Sequence, residues 1–333
     1  MLLNIIYFVI GLLLIIKGAD WLTDSASNIA RRFNVPSLVI GMTIVAFGTS
    51  APELVVSVVS SIDGKPDMAI GNVVGSNLFN TLAIVGITAL IYPISCKEST
   101  RYIDLPVCVF ASALLYFMVS DSCLWGRSDQ ISRIDGAIML IIFIAYMTVL
   151  FKTRKKDKNV TTPSVAIPHK TWEIIKEDKK EMSVALSVLL FAIGLSCLIF
   201  GGNWFVDGAS GIASGLGVSQ STIALTIVAA GTSFPELFTS IIAARKGDTD
   251  MALGNVIGSN VFNILLILGI SGLIQPLELG TVKHINIILL LVSSVMMLLF
   301  ACLGKSKFFI TRMEGLILTI MAIAYYTYLV VCN

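Results

Sequence analysis

Glu53 and Glu236 are carboxylates set deep in long apolar segments, and each closes the same short string. The first copy reads Gly48-Thr49-Ser50-Ala51-Pro52-Glu53 and the second Gly231-Thr232-Ser233-Phe234-Pro235-Glu236. A carboxylate near the middle of a membrane costs several kcal/mol and is normally kept where it serves a pathway or a bound ion. The proline four residues after Gly48 and Gly231 removes an intrahelical donor, so those two carbonyls lose their usual partners. Broken backbone in lipid is tolerated where it is buried in protein or lines a cavity. Two acids beside two sets of freed carbonyls carry the chemistry of a cation site.

Other oxygens fall on the same faces. Thr49 and Thr232 precede their glutamates by four residues and Ser50 and Ser233 by three, spacings that share a helical face. The next apolar segments add Gly71-Asn72-Val73-Val74-Gly75-Ser76-Asn77-Leu78-Phe79-Asn80 and Gly254-Asn255-Val256-Ile257-Gly258-Ser259-Asn260-Val261-Phe262-Asn263. Ser76 and Asn80 share a face, as do Ser259 and Asn263. Hard cations such as calcium take about 6–8 oxygens from carboxylates and carbonyls. Sodium also prefers oxygen, and two negative charges neutralise one Ca²⁺ or two Na⁺. The constellation holds no cysteine or histidine, which argues against zinc or copper. No resident cofactor is expected.

Plainer readings compete for some of these residues. Ser50, Ser76 and Ser259, taken singly, read as hydroxyls back-bonded to their own helices. Asn72, Asn77, Asn255 and Asn260 read as interhelical hydrogen-bonders outside the site. A protonated acid tying helices together accounts for neither the prolines nor the duplication, so both glutamates stay in the site.

The elements that must hold these groups are membrane helices. The chain of 333 residues is 56% hydrophobic and 13% charged, too apolar for a soluble domain of this length. Segments of spanning length occur near 3–22, 36–61, 67–94, 103–120, 134–151, 183–204, 218–244, 250–275, 284–303 and 310–331. Each suffices for a core of about 30 Å. The fold class is therefore an all-α integral membrane protein of ten transmembrane helices, with helices 2 and 7 broken at the midplane. One set of loops holds eighteen basic residues and the other four, with Lys17 inside the first span. The basic set marks the cytoplasm, so both termini are expected outside, in a cell membrane. The Met1 end shows no basic n-region and no small-residue cleavage site, and reads as an uncleaved span.

The chain also repeats itself at a constant shift of 183. Between 43–80 and 226–263, 23 of 38 positions are identical without a gap. The shift also pairs Gly11 with Gly194, Gly18 with Gly201, Trp21 with Trp204 and Asp24 with Asp207. The implied units are a first repeat of five helices over 1–151, a charged cytoplasmic linker over 152–182, and a second repeat over 183–333. Five spans is odd, so the second repeat enters from the opposite side, giving an inverted-topology pair with the Pro-Glu helices at the pseudo-two-fold axis.

The remaining residues say less. The six cysteines show no C-x-x-C spacing and read as buried small hydrophobes. His169 and His284 fall in or near loops and are expected to be solvated. Lys17 and Asp24, near one end of the first span, are expected to snorkel. The linker reads as a solvated segment ending in a short amphipathic helix around Trp172-Glu173-Ile174-Ile175. The expected partners are calcium and sodium ions and the lipid bilayer. Nucleic acid is not among them, and the reading is compatible with a monomer.

Two inverted copies of Gly-Thr-Ser-x-Pro-Glu, each followed by Gly-Asn-Val-x-Gly-Ser-Asn-x-Phe-Asn, resemble the alpha repeats of the sodium/calcium exchanger family, within the cation/calcium exchanger superfamily. The resemblance spans nearly the whole chain, and its compact size is similar to prokaryotic members. It implies a calcium site of Glu53 and Glu236, with Thr49 and Thr232 contributing mainly backbone carbonyls. For sodium it implies the same four residues with Ser50, Ser76, Ser233 and Ser259, the carbonyls of Ala46 and Ala229, and Asn80 and Asn263 lining the middle. It further implies that the first and sixth spans slide over the other eight. Potassium-dependent exchangers and some prokaryotic members carry aspartate where this chain has Asn263, which removes a third carboxylate and puts potassium coupling in doubt. The function implied is sodium-driven calcium antiport, and the alternatives are calcium/proton exchange and a cation channel. An enzyme is disfavoured, since no His, Lys or Cys is placed to activate Ser50 or Ser233.

Overall fold

The computed structural model describes residues 1–120, 129–154, 182–217, 229–280, 282–303 and 309–332. The body of the charged linker, the opening of the seventh expected span, Cys123 and His169 lie outside the described residues.

Helix α1 runs Leu2–Arg32, ten residues past the end of the expected apolar span. Thr23 to Arg32 is polar enough to end a hydropathy window, but it contains neither glycine nor proline, so the helix continues. It stops where Asn34 takes φ 50° and the Val35 N–H bonds back to Ala30 O at 2.9 Å. Asparagine tolerates that left-handed turn, and Pro36 follows it.

The Pro-Glu strings produce the breaks expected of them. Helices α2 (Ser37–Thr49) and α3 (Ala51–Ile62) are bent by 49° at Ser50, with Pro52 in the first turn of α3. Helix α4 spans Pro66–Ile91, α5 Thr100–Met118 and α6 Arg133–Arg154. Helix α7 spans Val184–Gly215, capped by Ser183 Oγ, which accepts the Leu186 N–H at 3.2 Å. The second broken element comprises α8 (Ala229–Gly231) and α9 (Phe234–Arg245), with Pro235 again in the first turn. Then come α10 (Thr249–Ile274), α11 (His284–Leu303) and α12 (Arg312–Cys332).

Seven described helices are long and apolar enough to cross a membrane, and the bent α2–α3 pair makes an eighth when counted as one span. The chain is a multi-pass, all-helical membrane protein. Its only extended pieces among the described residues are two-residue ladders. They pair Ile94 with Ile310 and Ser95 with Phe309, and Gln130 with Glu278 and Ile131 with Leu277.

Helices α4 and α10 form the centre and are the most buried of the apolar helices. Both widen into π turns, over Phe79–Ile84 and Phe262–Ile267, and Asn80 and Asn263 lie at the start of those turns. Such turns recur at functional sites. The main apolar core runs along these two helices through Leu78, Leu82, Leu253 and Leu265. Helices α1 and α7 pack on each other at backbone distance. A Cβ on Gly11 would clash with Phe205 N, and one on Gly18 would meet Gly194 O at 2.7 Å. A smaller apolar cluster, with Ile15, Leu22, Leu198 and Ala243, joins this pair to α9.

Two expectations for polar residues need correcting. His284 is not simply solvated, because its Nε2 lies 2.8 Å from Asp129 Oδ2 and its ring stands edge-on to Tyr116. Asp24 does not snorkel alone, because Lys246 reaches it at 3.0 Å and Asp20 at 2.5 Å. In both cases the partner lies more than a hundred residues away, beyond any local pattern.

Candidate cation site

Each break places its glutamate in the first turn of the helix that follows, Glu53 in α3 and Glu236 in α9. A helix N-terminus favours negative charge. Both carboxylates are buried, at 1% exposure, where an unpaired ionised group carries a large desolvation cost.

The two breaks exchange hydrogen bonds. Ser50 Oγ donates to Glu236 Oε1 at 2.9 Å, and Ser233 Oγ donates to Glu53 Oε1 at 3.2 Å. The central helices add one hydroxyl each, Ser76 Oγ to Glu53 Oε1 at 3.4 Å and Ser259 Oγ to Glu236 Oε1 at 3.5 Å. Every one of these contacts has a counterpart at the 183 shift. Each Oε1 thus accepts two hydroxyls, while Glu53 Oε2 and Glu236 Oε2 have no partner among the described residues.

Asn80 and Asn263 meet the same face through amides. Asn80 Nδ2 donates to Asn260 Oδ1 at 3.1 Å, and Asn263 Nδ2 donates to Asn77 Oδ1 at 2.8 Å. Their own Oδ1 atoms are buried and partnerless among the described residues. Four acceptor oxygens on four buried residues are therefore left unpaired. An orphaned buried acceptor costs about 1–3 kcal/mol, more when charged, so these oxygens are suited to a donor or a cation.

The remaining expected residues sit differently. Thr49 Oγ1 donates to Ala46 O at 3.3 Å and Asn255 Oδ1 at 3.2 Å. Ala46 O also accepts the Ser50 N–H at 2.9 Å, so its lone pairs are occupied in this conformation. In the second copy the Ser233 N–H donates to Ala230 O at 3.1 Å, one residue closer than the Ala229 carbonyl. Thr232 Oγ1 is buried without a hydrogen-bond partner among the described residues.

A supporting layer lies behind the glutamates. Asn72 Nδ2 donates to Glu53 O (3.2 Å) and Ser57 Oγ (3.0 Å), and Asn255 Nδ2 donates to Glu236 O (3.3 Å) and Ser240 Oγ (3.1 Å). Ser57 and Ser240 escaped notice altogether. Their signal was present, since each follows its glutamate by four residues in both copies.

The fold and the buried acidic, oxygen-lined face define a membrane protein of the ion-handling class. The family model for the sodium/calcium exchanger protein matches residues 3–152 and 186–331, and the chain belongs to that family. It is 36% identical over 337 residues to the putative antiporter CaxA of Alkalimonas amylolytica, covering 99% of each chain. It is 31% identical over 343 residues to the sodium/calcium exchanger MaX1 of Methanosarcina acetivorans, covering 97% of each. A solved structure of the sodium-calcium exchanger NCX_Mj superposes with a TM-score of 0.78 at 34% identity, covering 97% of this chain and 99% of that one.

Proposed function

We propose that this chain is a sodium-driven calcium antiporter that works by alternating access. The observation that carries the reading is the set of four unpaired buried acceptors, Glu53 Oε2, Glu236 Oε2, Asn80 Oδ1 and Asn263 Oδ1. A calcium ion takes about 6–8 oxygens, which the two glutamates and the carbonyls of Thr49 and Thr232 begin to supply, while Asn80 and Asn263 line the middle of the site and serve sodium. Sodium ions use the same glutamates with Ser50, Ser76, Ser233 and Ser259 and the carbonyls of Ala46 and Ala229. Freeing Ala46 O for a ligand requires the turn at Ser50 to loosen, which is a local change at an existing break. Both ions compete for one set of oxygens, so the helices move only once the site is neutralised.

The architecture that goes with this function is ten spans in two inverted repeats, 1–151 and 183–333, joined by a cytoplasmic linker over 152–182. Both termini lie outside the cell membrane. Support comes from the constant shift of 183 and from the reciprocal serine–glutamate bonds. A family relationship to MaX1 and NCX_Mj supports the choice of sodium and calcium. Asn263 leaves two carboxylates at the centre, so we read the exchange as independent of potassium. Three Na⁺ against one Ca²⁺ would move net charge and respond to voltage by about 2.3 kcal/mol per 100 mV.

The test is calcium-45 uptake into proteoliposomes under imposed sodium, proton or potassium gradients. Uptake driven by sodium without added potassium is the expected result. Uptake driven by a pH gradient and indifferent to sodium would replace this reading with calcium/proton exchange, and flux without countertransport would replace it with a channel.

A further inference from the structure

Asn72 on α4 and Asn255 on α10 hold the two glutamates in the same way. Each gives its amide hydrogens to the main-chain carbonyl of the glutamate and to the serine one turn further on. Each Oδ1 is then left to accept from elsewhere. Asn255 Oδ1 accepts from Thr49 Oγ1 at 3.2 Å, a bond that ties the first broken helix to α10. The equivalent pair is Thr232 and Asn72, and there the bond is absent among the described residues. Thr232 Oγ1 lies beside the Glu53 carboxylate, as Thr49 does beside Glu236, and makes no further hydrogen bond among the described residues.

Burial follows the same division. Thr49 and Asn255 are fully buried, whereas Thr232 and Asn72 are only partly so. Met251, Gly254 and Gly258 on α10 are buried, whereas Met68 on α4 is exposed and Gly71 and Gly75 are partly exposed. The α10 glycines are in tight contact with α2, since a Cβ on Gly254 would meet Leu38 O and one on Gly258 would meet Met42 O, both at 2.6 Å. The residues at the bond are Thr, Asn, Glu and Ser in both halves, whereas Gly41, whose Cβ would meet Met251 O at 2.7 Å, is replaced by Ala224 at the 183 shift. Two identical groups held in two arrangements are what a two-state element looks like when caught in one state.

We infer that the Thr49–Asn255 and Thr232–Asn72 pairs are alternating latches, one closed while the other is open, and that they exchange as the site turns from one face of the membrane to the other. The inference rests on the alternating-access reading above. Thr49 Oγ1 also lies 3.3 Å from Ala46 O. In the open half Thr232 Oγ1 has no hydrogen-bond partner among the described residues, so an open latch leaves its hydroxyl beside the glutamate carboxylate. Asn72, Asn255 and the two threonine hydroxyls act here as positioning groups, distinct from any direct contact with the ion.

The test uses the full chain in proteoliposomes of fixed orientation, with apparent calcium affinity read separately at each face. Thr49→Val keeps shape and removes the closed latch. It should weaken affinity about threefold to tenfold at the face reached from the Pro66 end of α4, and strengthen it at the face reached from the Thr249 end of α10. Thr232→Val should shift the two faces the other way, and Thr49→Ser should restore wild-type values. A hydroxyl serving only the nearby carboxylate would shift both faces alike, and that result, or no shift at all, overturns the latch. Wild-type protein without sodium-driven calcium exchange would instead sink the antiport reading. Hydrogen exchange in detergent then tests the latch by itself. Thr49→Val should raise exchange over Thr249–Val261 and Thr232→Val should not, while an equal rise in α4 and α10 would refute it.

Discussion

Helices α4 and α10 begin with closely similar residues, yet α10 is enclosed from Met251 to Val261 while α4 leaves Met68, Gly71, Asn72 and Gly75 partly open. Both carry the same donors to the same glutamate atoms, so the chemistry of the two halves is matched. What differs is the packing over them and the one threonine–asparagine bond. The duplicated sequence therefore brings matched groups to the centre, while the residues packed over them are not fully duplicated: Gly41, whose Cβ would meet Met251 O at 2.7 Å, is Ala224 in the other half.

The strongest way to break the comparison is to remove one carboxylate at a time. Glu53→Gln and Glu236→Gln preserve shape and delete a charge. Each should bring sodium-driven calcium-45 uptake to background while the protein stays folded and monodisperse in detergent. Matched chemistry requires both to fail. A variant that retains substantial uptake would mean that the halves contribute unequally.

The packing difference predicts a smaller and one-sided effect. A Cβ on Gly258 would meet Met42 O at 2.6 Å and Ala46 Cβ at 2.7 Å, whereas one on Gly75 meets nothing within 4 Å among the described residues. Overpacking of this kind costs about 1–3 kcal/mol. Gly258→Ala should therefore lower the melting temperature in detergent by several degrees, and by more than Gly75→Ala does. Equal losses would show that the two halves are packed alike in the population studied.

The turns that open the two helices differ in residue type as well. Asp248 caps α10 by accepting the Met251 N–H at 3.0 Å and also takes Ser27 Oγ at 3.1 Å, whereas Lys65 stands at the same place before α4 without a side-chain cap. Asp248→Ala should cost about 1 kcal/mol. Burial pushes the Asp248 carboxyl above its ordinary value, so the folded chain keeps its proton to higher pH than the unfolded chain does. Its contribution to stability is then greatest in acid and declines as pH rises from about 4, the ordinary carboxylate value, to the raised one. Asp248→Asn retains a capping oxygen and should flatten that decline. A melting curve with the same pH slope in wild type and Asp248→Asn would refute the assignment.

Much of this site was legible because the repeat doubled every signal. Glu53, Ser50, Ser76 and Asn80 could each be dismissed singly, but their partners at the 183 shift could not be dismissed with them. Ser57 and Ser240 were missed because a serine in an apolar helix reads as back-bonded, and nothing local says that an asparagine on the next helix will claim it. The length of α1 exceeds its apolar span for a different reason. Hydropathy reports where lipid ends, whereas a helix ends only where a breaker such as Asn34 or Pro36 stops it. The contacts of Asp24 and His284 depend on residues brought from distant segments, and a periodicity argument has no access to them.

The smallest expected effect concerns the turn between α9 and α10, where the two halves differ in charge. Lys246 Nζ lies 2.5 Å from Asp20, 3.0 Å from Asp24 and 3.0 Å from Asp20 O, tying α1 to the enclosed half. The equivalent of Lys246 is Asp63, and the equivalents of Asp20 and Asp24 are Asn203 and Asp207. The sequence therefore supplies no matching cation for α7 there. The lysine and both carboxylates remain partly exposed, so screening limits the group to about 0–1 kcal/mol. Lys246→Met should thus lower the melting temperature slightly in low salt and by less at high ionic strength, where a Debye length of a few ångströms already weakens the pair. The reciprocal change Asp63→Lys places a cation on the open side without a pair of acids to receive it, and should change stability little. A loss for Lys246→Met that is large and insensitive to salt would show that the lysine acts through packing, and the charge difference between the halves would then carry no weight in holding α1.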